Sequence, residues 1–234
     1  MNSSMSTAIV RLYWALTLCL FAAVTLLMVY WTPREATMGD VQKIFYIHLP
    51  AAIHTFVACF VVFVASVMYL LQRRAWWDDL AAGAAKVAVL LASLVLLTGM
   101  VWGRSAWGAW WQWSPRLTFS LILWLLYVVY LMIRPSIESS QKRALISAVY
   151  GVIAFLDVPL VYLSTKLLPD IHPPSISLSP DMSTTRLAWF VPMTLLAAGL
   201  IVASFRINRL HRAASEQVED EIQEPRLVPA GGNA

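Results

Sequence analysis

Six stretches of this chain run apolar for close to the length of a bilayer-spanning helix, and nothing else limits its fold as strongly. Leu12 to Trp31 and Leu49 to Leu71 hold no charged residue, although the second contains Pro50 and His54. Leu80 to Trp102 carries only Lys86, and Leu117 to Ile133 is short but clean. Ala144 to Thr165 holds one carboxylate, Asp157, beside Pro159, and Leu187 to Phe205 contains Pro192. A bilayer core about 30 Å thick needs roughly 20 residues of apolar helix. Composition agrees, with 59% of residues apolar and 13% charged, against about a quarter charged in a soluble domain. A water-soluble enzyme, a disordered chain and a small disulfide scaffold are excluded. No segment shows the alternating pattern of an outer-membrane barrel.

The expected fold is therefore all-α: a polytopic membrane protein, one six-helix bundle over residues 1–214. Its spans are placed at 12–31, 49–71, 80–102, 117–133, 144–165 and 187–205. The first span is too long for a signal peptide and lacks a small-residue cleavage site, so it reads as a retained helix. Residues 215–234 hold Glu216, Glu219, Asp220, Glu221 and Glu224 among Pro, Gly and Asn, and read as an acidic tail without structure. Without that tail, sixteen Lys and Arg face eight Asp and Glu.

Lys and Arg in short loops orient a membrane protein. With the N-terminus inside, the cytoplasmic set is Arg11, Arg73, Arg74, Arg134, Lys142, Arg143, Arg206, Arg209, Arg212 and Arg226. The outer set is Arg34, Lys43, Arg104, Arg116, Lys166 and Arg186, so the balance is ten to six. Both termini are thus expected in the cytoplasm of a multi-pass membrane protein. Cys19 and Cys59 fall inside spans, and no Cys-x-x-Cys occurs, so neither a thiol relay nor covalent haem attachment is supported. No Gly-rich phosphate loop is present, and nothing indicates nucleic acid as a partner.

Tryptophan is concentrated in one place. Of the 11 in the chain, five fall between Trp102 and Trp113, in the outer loop joining the third and fourth spans. Trp107, Trp110 and Trp111 are spaced so that a helical turn sets three indoles on one face. Ser114 and Pro115 resemble an N-cap and first helical residue opening the fourth span. Arg104 and Arg116 flank this aromatic shelf. An interfacial aromatic belt explains two or three Trp. A planar anionic ligand explains the cluster better, since a porphyrin offers faces for stacking and propionates for Arg. A quinone or lipid headgroup is the lesser fit.

Two of the four histidines share that outer side. His48 stands in Phe45-Tyr-Ile-His48-Leu-Pro50, at the entry to the second span, and His172 in Pro169-Asp-Ile-His172-Pro-Pro174, between the fifth and sixth. Each alone is as well explained as an interfacial polar residue. Together with the loop they suit the two axial positions of a haem iron. His54, about one and a half turns deeper, reads as a buried hydrogen-bonding residue, with a back-up ligand as the alternative, and His211 as part of a headgroup-facing end. Asp157 is either satisfied by a neighbouring helix or, with Pro159, marks a helix break.

The run Trp107-Gly-Ala-Trp110-Trp111-Gln-Trp113-Ser114-Pro115-Arg116-Leu117-Thr118 resembles the tryptophan-rich WWD signature of haem-handling proteins. With the His48 segment, and with Tyr150 to Pro159 through His172, the chain resembles the haem exporter C (CcmC) family of cytochrome c maturation over about Leu12 to Arg209. That resemblance implies haem b held at the periplasmic face of the inner membrane by His48 and His172, with Trp102 to Thr118 as the signature loop. It also implies transfer to a periplasmic haem chaperone, and work beside an ABC-type ATPase, its membrane subunit and a small single-span protein. The role implied is presentation and transport, not catalysis. Family loops usually carry Asp where this chain has Ser114; either residue caps a helix start, but the negative charge is absent here. The competing function is a membrane cytochrome b-type electron-transfer subunit working with quinol, whose histidines are expected within spans.

Overall fold

A computed structural model describes residues 3–173 and 176–223. It is helical throughout its regular structure, with six helical segments long and apolar enough to cross a membrane, so the chain is a multi-pass membrane protein. The elements are α1 (Ser3–Leu26), α2 (Ile44–Gln72), α3 (Ala75–Trp107), α4 (Pro115–Ile133), α5 (Ser140–Ala154), α6 (Asp157–Leu167) and α7 (Pro180–Gln223). A π turn, Leu27–Trp31, closes α1, and a short 3-10 turn, Asp40–Lys43, leads into α2.

The spans exceed their expected ends by several residues, because flanking Trp, Tyr and Ser continue the helices past the apolar runs. Span five is not continuous. It breaks at Phe155 and Leu156 into α5 and α6. Pro159 has no N–H to offer the Phe155 carbonyl. That carbonyl accepts instead from Val158 N at 3.0 Å, a tighter turn than an α-helix makes. Pro50 and Pro192, by contrast, lie inside unbroken helices.

The core sits along α2 and α3, where small residues let backbones approach closely. Ala81, Ala84, Ala85 and Ala88 are buried on α3 against Ala58, Val62 and Ala65 of α2. A Cβ on Gly83 would lie 3.0 Å from Phe205 N, so α7 crosses α3 at a point only glycine leaves open. At this end Lys86 Nζ donates to Asn208 Oδ1 (2.8 Å), Asn208 Nδ2 donates to the Asp79 carbonyl (2.9 Å), and Arg212 pairs with the Asp79 carboxylate. The one cation expected inside a span is thereby satisfied.

The acidic segment needs correction. Helix α7 runs on to Gln223, so residues 215–223, expected without structure, are helical. Ser215 Oγ donates to the His211 carbonyl at 3.0 Å, and Arg212 Nη1 approaches Glu216 Oε1 at 4.0 Å. A helix already nucleated in the bundle gains a hydrogen bond with each added residue and needs no new nucleus. Residues 224–234, the remainder of the expected tail, lie outside the described residues, as do Pro174 and Ser175.

Candidate functional site

His48 stands in the second turn of α2, half-buried against α3. A Cβ on Gly99 would lie 3.3 Å from His48 Cε1, so glycine opens the face of α3 on which the ring rests. The ring Nδ1 is 2.9 Å from Thr98 Oγ1. The Thr98 hydroxyl proton is directed to the Leu94 carbonyl at 2.7 Å, so the threonine oxygen accepts from His48 Nδ1–H. The Nε2 lone pair is then left over. His172 and Arg116 lie close enough for their charges to act on His48.

His172 is held by its own loop and by α4. Its N–H donates to Asp170 Oδ1 at 2.8 Å, an Asx turn. Its Nδ1 lies 3.0 Å from the Pro173 carbonyl, which only accepts, so the proton is again on Nδ1. Arg116 Nη1 approaches the same nitrogen at 3.4 Å and Thr165 Oγ1 at 3.4 Å. Burial first, then the Arg116 guanidinium, holds the His172 imidazole below its ordinary value, outweighing the Pro173 carbonyl and Asp170. The neutral form is favoured. Among the described residues neither Nε2 has a hydrogen-bond partner, so both rings present the same unused lone pair.

Ser114 and Pro115 occupy the N-cap and first helical positions of α4 as expected. The Ser114 side chain nevertheless makes no capping bond, and its Oγ is buried without a partner among the described residues. Asp170 does that work from across the bundle end, its Oδ2 accepting from Arg116 N at 2.6 Å. Thr118 N then donates to the Ser114 carbonyl at 2.9 Å, the first turn of the helix, and Leu117 and Thr118 follow half-buried.

The tryptophan loop does not form the single shelf expected. Helix α3 ends at Trp107 because Gly108 takes φ +75°, with its N–H on the Arg104 carbonyl at 3.2 Å and its carbonyl held by Arg104 Nη1. Trp110 and Trp111 therefore lie beyond the helix. The indoles fall into two edge-to-face pairs: Trp102 with Trp107 at 5.2 Å, and Trp111 with Trp113 at 5.8 Å. At about 100° per residue, Trp102 shares the face of α3 that carries Thr98 and Gly99. Leu96 and Met100 lie on the side of α3 away from Thr98 and Trp102. There, with Leu121, Trp111 and Trp113, they line an apolar recess of about 250 Å³. Trp110 and Trp113 are exposed.

Other expected residues sort simply. His54 is buried, with Nδ1 2.7 Å from the Pro50 carbonyl and Nε2 2.9 Å from Thr194 Oγ1, so it ties α2 to α7 and has no nitrogen to spare. Asp157 opens α6 and is buried, with Oδ2 unpartnered among the described residues. Asp170, Thr98 and Thr165 were not singled out from sequence. The Asp-Ile-His spacing signals the Asx turn, but the partner of the other carboxylate oxygen lies 54 residues away.

The donor set fits haem. Two neutral imidazoles from separate elements suit its iron, and guanidinium groups suit its propionates. Among the described residues no group of three or more His, Cys, Asp or Glu is placed to hold a bare metal ion. The fold and these residues define a class: a polytopic membrane protein with two histidines and an aromatic loop at one end of its bundle.

Residues 1–227 match the family described as Heme exporter protein C, CcmC. The chain belongs to that family. It is similar to the Heme exporter protein C of Rhodobacter capsulatus, 33% identical over 132 residues, covering 53% of this chain and 54% of the relative. It is 29% identical over 182 residues to that of Bradyrhizobium diazoefficiens, 78% and 68% of the two chains. It is 26% identical over 211 residues to that of Escherichia coli K12, 84% and 86%. The match thus spans about half the Rhodobacter relative and most of the Escherichia one.

Proposed function

We propose that this protein binds haem b at the periplasmic face of the bacterial inner membrane and presents it to a periplasmic haem chaperone during cytochrome c maturation. Membership of the Heme exporter protein C family supports haem export as the general role. The observation that carries the specific one is the pair His48 and His172. Each has Nδ1 occupied as a donor and Nε2 unoccupied, the arrangement that fixes tautomer and ring orientation in metal-ligating histidines. His48 and His172 would hold the iron, Arg116 and Arg104 would neutralise propionates, and Trp102 would offer an indole for stacking. Bound haem supplies the chemistry the chaperone later uses; this chain binds, orients and releases it, without catalysis. Trp110 and Trp113, exposed at the same end, offer the surface a chaperone meets. The ATPase, its membrane subunit and the single-span protein complete the complex in this reading, with both termini in the cytoplasm.

The test is the absorbance spectrum of purified full-length protein with haem. Wild type is expected to show a low-spin bis-imidazole spectrum that is lost in His48→Ala and in His172→Ala. An unchanged low-spin spectrum in the double variant overturns the ligand assignment. Reduction of the haem by quinol at catalytic rates points instead to an electron-transfer subunit.

A further inference from the structure

The Asp170 carboxylate divides its two oxygens between different parts of the fold. Oδ1 accepts from His172 N at 2.8 Å within the loop after α6, and Oδ2 accepts from Arg116 N at 2.6 Å in the first turn of α4. The second bond meets a free N–H at the positive end of a 19-residue helix, where a carboxylate is favoured by both charge and geometry. It is the capping bond that Ser114, standing at the N-cap, does not make. Arg116 adds a further tie, its Nη1 donating to Thr165 Oγ1 at 3.4 Å. The tryptophan loop runs directly into this helix start, from Trp113 through Ser114 and Pro115.

From this we infer that Asp170 is a positioning residue that couples the tryptophan loop to the His172 imidazole, so that a displacement of the loop loosens that ring. One carboxylate sets both the start of α4 and the backbone at residue 172. Neither can shift without stretching a charge-assisted hydrogen bond of the other. A partner engaging the exposed Trp110 and Trp113 therefore acts on His172 through four residues of chain and one carboxylate. In a haem-presenting protein this makes release conditional on contact: the ligand on the loop side gives way while His48, held by Thr98 on α2 and α3, stays. The release role rests on the proposed function; the coupling itself does not.

Both levels are tested with the full-length protein in lipid nanodiscs, as wild type, Asp170→Asn and Asp170→Ala. In haem-free protein, hydrogen exchange at the Arg116 and His172 amides is expected to accelerate together, by about tenfold or more in Asp170→Ala, and by less in Asp170→Asn, which keeps one acceptor. Unchanged protection at either amide overturns the coupling, whatever the protein binds. With haem, Asp170→Ala is expected to turn a large share of the low-spin spectrum high-spin, and added imidazole to restore it. Loss of haem to apomyoglobin is expected to quicken at least severalfold. If wild type shows no low-spin haem, the proposed function fails while the exchange result stands. If wild type is low-spin and Asp170→Ala is identical, the positioning role fails and the haem site stands. Should Asp170→Ala not fold, Asp170→Asn carries both measurements, with the smaller changes expected and no change overturning the inference.

Discussion

His48 Nδ1 lies 2.9 Å from Thr98 Oγ1, and the threonine hydroxyl donates to the Leu94 carbonyl 2.7 Å away. The relay fixes which imidazole nitrogen carries hydrogen and holds the ring against the gap at Gly99. Thr98→Val keeps the shape and removes the acceptor. Haem affinity is expected to fall about 10- to 100-fold, the usual effect of removing a partner of a metal-ligating histidine. Thr98→Ser is expected to stay near wild type. Haem titration of the three proteins checks this, and equal affinities would break the link between Thr98 and His48.

His172 gives a pH dependence with a definite sign. Burial and the Arg116 guanidinium depress its folded-state value, whereas the unfolded chain titrates near the ordinary value of about 6.5. Below that value the unfolded state binds the extra proton first, so stability falls as pH drops, until the folded ring also protonates. Arg116 of α4, Asp170 of the same loop and His48 of α2 are the charged or titratable groups facing it. Unfolding of haem-free protein is therefore expected to ease as the pH falls below about 6.5, with a shallower slope in His172→Gln. Identical slopes would show that this ring is not the group responsible.

The span count was legible because bilayer thickness demands long apolar runs, and these interrupt one another only at charged or Pro-bearing loops. The placement of His48 and His172 at one end of the bundle was legible because alternating spans put their segments there. The indole shelf was not. Its periodicity fits a helix, but Gly108 in a left-handed conformation ends α3 just after Trp107. Asp170 escaped notice for a different reason: capping by a residue 54 positions away leaves no local pattern. The helical stretch from residue 215 to 223 escaped because composition alone does not record that α7 was already nucleated in the bundle.

Gly199 is one of the points where α1 meets α7. A Cβ there would lie 2.7 Å from Tyr13 Cε1 and 3.0 Å from Trp14 Cη2. Tyr13 OH donates to the nearby Leu195 carbonyl at 2.5 Å. Gly199→Ala pushes both rings off α7, and overpacking of this kind costs about 1–3 kcal/mol. Because Phe21 and Val24 still hold α1 against Trp189 and Met182 of α7, the expected result is loosening of the Tyr13 end of α1 rather than global unfolding. Faster cross-linking of a probe on α1 to lipid, with haem binding retained, is the measurement. Unaltered α1 contacts would show that the crossing tolerates a methyl group.

Asp78 and Arg134 join α3 to the end of α4 by a bidentate pair, with Nη1 and Nη2 donating to the two carboxylate oxygens at 2.6 and 2.7 Å. Their side chains are only 11% and 15% exposed, so water replaces little of what the pair supplies to each partner. Removing one partner strands a charge. Asp78→Ala is expected to destabilise the protein by about 3–5 kcal/mol, with Arg134 left beside Tyr130, whose ring centroid is 5.8 Å away. Removing both charges is a different experiment, since well-packed apolar residues can replace a buried pair at little cost. The double variant Asp78→Leu with Arg134→Met is thus expected to recover most of the loss. Denaturation in detergent across wild type, Asp78→Leu, Arg134→Met and the double variant measures the coupling, with Asp78→Ala alongside. A double variant as unstable as Asp78→Ala would mean that the pair fixes the α3–α4 geometry through direction as well as charge.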